Sequence, residues 1–283
     1  MLGLAERHTL VRYDGRGTGL SDRNISLEQI TFDNWVGDLE GIADTLNFEK
    51  FTLLGISQGA AISIAYTRRH PERVSNLSLL GGFQRGSVYF PEQGQAYLDL
   101  TREMIRQGWG SDNAAYRQWF TSQFIPDATT EQARWFNDLE KDSASPEVAE
   151  RMATVNAHVD VSDLLPQIDT PTLVFHCRGD IRVPFERGQE IAGAIPGATF
   201  VPLESQNHIF LANEPAHREF FKEVASFLGE PPIRGRLAGT ERENWIRRGI
   251  AAIEQSLVYK IVIIVAVVTG LIGVILSIIS SNS

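Results

Sequence analysis

Ser57 stands in Gly55-Ile56-Ser57-Gln58-Gly59, a spacing that suits an activated nucleophile. The run Phe51–Ile56 before it is continuously apolar, as buried parallel strands are, and Ala60–His70 after it reads as a helix that stops before Pro71. A serine on a tight strand-to-helix turn projects its Oγ above the sheet, where a substrate carbonyl can meet it. Gly55 and Gly59 omit the Cβ atoms that would crowd that turn. The backbone N–H of Gln58, at the start of the helix, can then face a developing oxyanion. The five-residue pattern alone arises by chance, with a glycine-lined helix start as the bland alternative. Its place between a buried strand and a helix makes it specific.

A serine nucleophile needs a base, and the base needs an orienting carboxylate. Asp180, in His176-Cys177-Arg178-Gly179-Asp180, directly follows the apolar run Thr172–Phe175, and strand ends at the carboxyl edge of a parallel sheet gather site residues. Asp163 and Asp169 are weaker rivals, because neither follows a strand. For the base, His208 in Gln206-Asn207-His208-Ile209-Phe210 lies on a loop after the last strand of the body. His8, His70, His158, His176 and His217 each have a structural reading that suits them better, at strand ends, at helix ends or within an insertion. Ser57, Asp180 and His208 therefore form the expected set, with Gln58 as oxyanion donor.

Positioning these residues takes strands alternating with helices, which is the pattern of a parallel sheet covered on both faces. Strands are predicted at His8–Tyr13, Phe51–Ile56, Leu77–Leu80, Thr172–His176 and Thr199–Pro202, and helices at Asp33–Leu46, Ala60–His70, Glu186–Ile195 and Ala216–Leu228. Between Phe83 and Ile168 short helical stretches dominate, with Trp109, Trp119 and Trp135 among Tyr97, Tyr116, Phe120, Phe124 and Phe136. Most of these aromatics are expected to pack the insertion itself and a minority to line a ligand pocket.

With 43% hydrophobic and 22% charged residues, the 283-residue chain has the composition of a globular protein with a sizeable core. A net charge of −9 argues against general nucleic-acid binding, which wants a basic face. Cys177 is the sole cysteine, so an intrachain disulfide and a multi-thiolate zinc site are both excluded. Residues 231–260 reverse the charge, with five arginines and Lys260 against three glutamates. Beyond them Ile261–Ile279 carries no charge, and as a helix it would rise about 28 Å, close to a bilayer core. A transmembrane helix is expected over 261–279, contacting a lipid bilayer behind the basic stalk 231–260. The basic residues precede it, so residues 1–260 are expected in the cytoplasm, as in a tail-anchored protein.

Tyr13-Asp14-Gly15-Arg16-Gly17-Thr18-Gly19-Leu20-Ser21-Asp22, the turn at Ser57, His70-Pro71-Glu72-Arg73-Val74, Gly179-Asp180 and Asn207-His208 together resemble the α/β-hydrolase superfamily over residues 1–228. The Arg16–Asp22 wording is similar to hydrolase modules that some bacteria fuse to cyclase or regulatory domains. The resemblance implies an α/β-hydrolase fold with core parts at 1–83 and 169–230, a helical cap at 84–168, and a triad of Ser57, Asp180 and His208. It implies a structural turn at Asp14 and Arg16, and no metal or organic cofactor. Serine at position 57, where dehalogenases and epoxide hydrolases of this fold carry aspartate, implies a small-molecule ester, thioester, lactone or amide as substrate. A non-catalytic sensor that binds a small ligand is the alternative.

The chain departs from that pattern at its start. Members of the superfamily begin with further strands, the third of which ends in a His-Gly motif whose loop gives the other oxyanion N–H, and no such segment precedes His8. By family topology the missing strand belongs between His8–Tyr13 and Phe51–Ile56. Its loss is expected to leave two rows of unpaired backbone groups unless those strands pair directly. Coding sequence upstream of Met1 is the expected explanation.

Overall fold

A computed structural model describes residue 4, residues 7–91 and 94–231, and the strand backbone of 262–266. Among the described residues the sheet has six strands: β1 (Thr9–Arg12), β2 (Phe51–Ile56), β3 (Val74–Leu80), β4 (Thr172–Cys177), β5 (Thr199–Leu203) and β6 (Val262–Ala266). They run parallel in the order β1-β6-β2-β3-β4-β5. Every residue of β2 and β4 is buried, which explains why both read as unbroken apolar runs.

Alternate residues of the strands serve two cores. Leu53, Leu77, Leu79 and Val174 face one side, where helix α1 (Phe32–Thr45) adds Trp35, Val36 and Leu39. Leu54, Ile56, Leu80, Leu173, Phe175 and Leu203 face the other, where Phe220, Phe221 and Val224 of α8 (Pro215–Phe227) cover them. Helix α2 (Gln58–Arg69) is buried from Gln58 to Thr67, so its small residues pack directly on the sheet. Helix α7 (Phe185–Ala194) follows β4 and adds Ile191 to the first core. Each large apolar side chain so buried contributes roughly 1.5–3 kcal/mol.

Between β3 and β4 lies the helical insertion, with α3 (Gly94–Gly108), α4 (Ala115–Phe124), α5 (Thr130–Ser143) and α6 (Pro146–Ala157). Helix α5 opens with a reciprocal cap between Thr129 and Gln132, and α6 with Ser145 as cap and Pro146 at its first position. Arg117 of α4 is buried and donates to the carbonyls of Asn137, Gly108, Trp109 and Ser111, tying α4 to the end of α3 and to the middle of α5. Tyr97, Trp109, Phe120 and Phe124 line a cavity, a larger share of the insertion's aromatics than expected.

Two expectations are corrected at the sheet's centre. The position between β1 and β2 is neither empty nor closed by direct pairing. Strand β6 occupies it, in register from Thr9↔Val262 to Arg12↔Val265 on one side and from Thr52↔Ile263 to Gly55↔Ala266 on the other. Val262–Ala266 was expected to be helical as part of a membrane span, and it is strand. Periodicity cannot separate a buried strand from an apolar helix, and a run of Val and Ile suits a strand flanked by two rows of backbone donors and acceptors. The rest of the predicted span, and the basic stalk from residue 232 onward, lie outside the described residues. Among the described residues no helix is long and apolar enough to cross a membrane.

Candidate active site

Ser57 takes φ 55° and ψ −121°, a left-handed conformation that a side chain rarely adopts and that functional turns retain. Two bonds hold it there: its N–H donates to the Leu80 carbonyl at 2.8 Å, and its own carbonyl accepts from Ala60 N at 3.0 Å. Glycine is required at position 55, because a Cβ there would fall 2.6 Å from the Gly59 carbonyl oxygen. Gln58 is the first residue of α2, so its N–H has no carbonyl within the helix to bond. Both polar ends of its buried side chain also lack partners.

Asp180 sits three residues past the end of β4 and is buried. Its Oδ1 accepts from the N–H groups of Arg182 and Val183, each at 2.9 Å, and its Oδ2 accepts from His208 Nδ1 at 2.6 Å. Burial raises the pKa of this carboxyl, but the attraction and hydrogen bonds of His208 and His176 outweigh it and hold Asp180 below the usual carboxylate range. The ionised aspartate fixes the His208 proton on Nδ1 and leaves Nε2 as an acceptor. Nε2 is buried and without a partner.

The His208 ring lies against the strand end beside Ser57: a Cβ on Gly81, the residue after Leu80, would come within 3.0 Å of its Cε1. Its loop is held from the insertion, since His208 N donates to the Phe124 carbonyl at 2.9 Å and the two rings meet edge to face. Asn207 accepts from Asp127 N at 3.0 Å and donates to Glu214 Oε1 at 2.8 Å. The other histidines have separate partners: His8 faces Glu230, His70 faces Glu40, and His158 bonds Thr154.

His176 is the residue that reading the sequence undervalued. Fully buried, its Nε2 lies 3.2 Å from Asp180 Oδ2 and donates to the Val183 carbonyl at 2.8 Å. It touches the aspartate rather than the cavity and so positions it. Its place at a strand end four residues before the acid was the available signal. Asp163 lies in a 3₁₀ turn, Ser162–Gln167, and bonds neither Ser57 nor His208.

Above Ser57 and Gln58 a cavity of about 150 Å³ opens to solvent. Phe90, Leu98, Ile105 and Met152 join the four aromatics in its wall, with Arg85, Arg182, Arg187 and Glu140 as its charged-type residues. A wall with this many apolar and aromatic side chains suits a small molecule with an apolar part. Among the described residues no group of three or more His, Cys, Asp or Glu is placed to hold a metal ion. Burial pushes the Cys177 thiol far up, which leaves it unreactive.

Comparison with known proteins identifies the family of the fold. The profile of the alpha/beta hydrolase fold matches residues 2–215. Pyrrolizixenacetamide deacetylase of Xenorhabdus hominickii is 27% identical over 81% of the chain and 83% of its own length. A 2-hydroxy-6-oxononadienedioate/2-hydroxy-6-oxononatrienedioate hydrolase of Cupriavidus pinatubonensis is 30% identical over 68% of the chain and 66% of its own. An esterase structure from Exiguobacterium antarcticum superposes with a TM-score of 0.66 at 24% identity, covering 76% of this chain and 80% of that one.

Proposed function

The chain belongs to the α/β-hydrolase fold family and is an enzyme of hydrolytic type, and from that premise we propose that it is a serine hydrolase. Its substrate is a small-molecule carboxylic ester, thioester, lactone or amide. The carrying observation is the buried His208–Asp180 hydrogen bond of 2.6 Å, with His208 Nε2 unpartnered beside the strained turn of Ser57.

Ser57 Oγ attacks the carbonyl carbon while its proton passes to His208 Nε2. The imidazolium that forms is stabilised by Asp180. The carbonyl oxygen becomes an oxyanion facing the Gln58 N–H, and a preorganised donor of this kind is worth on the order of 3 kcal/mol in the transition state. Collapse expels the alcohol, thiol or amine, which takes the proton from His208. Water, deprotonated by His208, then attacks the acyl-Ser57 ester, releasing the acid and restoring the serine. Glycines at the turn and buried carboxylate geometry support this reading over a module that only binds. A fluorophosphonate probe is expected to label the wild-type chain at Ser57 and to leave Ser57→Ala unlabelled. Equal labelling of both would overturn the assignment.

Membrane attachment through residues 261–279 belongs to the same proposal only as an alternative use of one segment. With Val262–Ala266 in the sheet, the thirteen residues 267–279 would rise about 20 Å as a helix, short of a bilayer core of ~30 Å. Anchoring therefore requires β6 to leave its place.

A further inference from the structure

Glu140 is a carboxyl that the proposed chemistry does not use. It lies on α5, is 0% exposed, and lines the same cavity as Ser57 from the cap side. Its Oε1 has no hydrogen-bond partner. Its Oε2 lies 3.5 Å from Thr121 Oγ1, but the single proton of that hydroxyl is engaged by Asn137 Oδ1 at 2.6 Å. The nearby cations are committed elsewhere. Arg117 donates through Nε and Nη1 to four backbone carbonyls, and Arg182 donates to Tyr97 Oη at 2.8 Å while stacking over Phe124. Among the described residues Glu140 forms no ion pair.

A buried polar group left unpartnered is costly to the empty protein. In a ligand cavity the same group is what fixes orientation and selects the ligand. We propose that Glu140 is a specificity-determining residue whose carboxyl hydrogen-bonds an uncharged oxygen in the substrate, an ether, hydroxyl or carbonyl remote from the scissile bond. Burial favours the protonated carboxyl, against the weaker pull of Arg117, Thr121 and Arg182, so the group presents an O–H donor rather than a counter-ion. The enzyme thus selects oxygenated chains over plain alkyl chains of equal length.

This rests on the serine-hydrolase reading, and the test separates the two. The full chain is assayed with 4-nitrophenyl octanoate and with its analogues in which oxygen replaces each chain CH₂ in turn, and with the 7-aminoheptanoate ester as the cationic member. The same chains are presented as alcohol-side acetates, so that either half of the ester can reach Glu140. At one oxygen position the ratio of kcat/KM, oxygenated over alkyl, is expected to exceed its value in Glu140→Leu by about tenfold or more. Glu140→Gln, whose amide also donates, is expected to keep most of that ratio. Fluorophosphonate labelling of Ser57 and the melting temperature check that the variants are folded.

Equal ratios in wild type and Glu140→Leu at every position would overturn the proposal. A strong preference for the aminoheptanoate ester that Glu140→Gln abolishes would overturn it too, by making Glu140 a counter-ion. Equilibrium binding of the same esters to Ser57→Ala protein, read by calorimetry, reports the preference without turnover. The oxygenated ester is expected to bind more tightly there, and less so once Glu140→Leu is added. A failure of chemistry at Ser57 is thereby told apart from a failure at Glu140.

Discussion

Two buried carboxyls, Asp180 and Glu140, meet opposite fates for a physical reason that can be read atom by atom. Asp180 accepts two backbone N–H groups and lies beside two imidazoles, so the charged form is favoured. Glu140 has one oxygen with no partner, so the neutral form is favoured. The pH dependence follows from the two signs. Asp180, whose folded value is depressed, stabilises the fold above the ordinary aspartate range near pH ~4, and that contribution is lost as pH falls below it. Glu140, whose folded value is raised, binds its proton more tightly when folded. Its contribution is full below the ordinary glutamate value of 4.5 and is lost as pH rises toward its folded value. Glu140→Gln is therefore expected to unfold at a higher urea concentration than wild type at neutral pH, the gap closing by pH ~4. A constant gap across that range would show that Glu140 does not titrate between the folded and unfolded chains.

Among the elements, β6 is the one on which the sheet depends most. It supplies backbone partners to β1 and β2 together, at the position next to the strand that carries Ser57. Ile264, opposite Val11 and Leu53, is the middle residue of that strand. Ile264→Pro removes its N–H from the ladder and is expected to cost on the order of 3 kcal/mol, a fall of roughly 6–12 °C in melting temperature. An unchanged melting temperature would mean that the sheet does not rely on β6. The turn at Ser57 is the second sensitive element, since Gly55 leaves no room for a Cβ. Sequence spacing revealed that turn readily, because its glycines serve local geometry. The function of 262–266 was hidden, because the partners of a parallel strand lie far away in the chain.

At the scale of the whole molecule, core and insertion build one site. The sheet contributes Ser57 and Asp180, while the insertion holds the His208 loop through the Phe124 carbonyl and Asp127, and supplies most of the cavity wall. The competing uses of the C-terminal segment are also decided at this scale. With β6 paired, the full chain is expected to stay at the bottom of a sucrose gradient when mixed with phosphatidylcholine–phosphatidylglycerol vesicles. Flotation with the vesicles would show that the segment leaves the sheet to enter the bilayer.

The turn at Ser57 and the neighbourhood of Asp180 and His208 could be anticipated from the sequence because each of these residues follows a strand, and strand-to-loop junctions leave local signatures. The parallel sheet and the helical insertion were legible for the same reason, through hydrophobic period. What the tertiary structure alone decided was contact between residues distant in the chain. His176 became a neighbour of Asp180, Glu140 came to face the cavity of Ser57, and an apolar run that satisfies a helix equally well became a strand between β1 and β2. Local pattern records which face of an element is apolar, and not which distant backbone or carboxyl that face will meet.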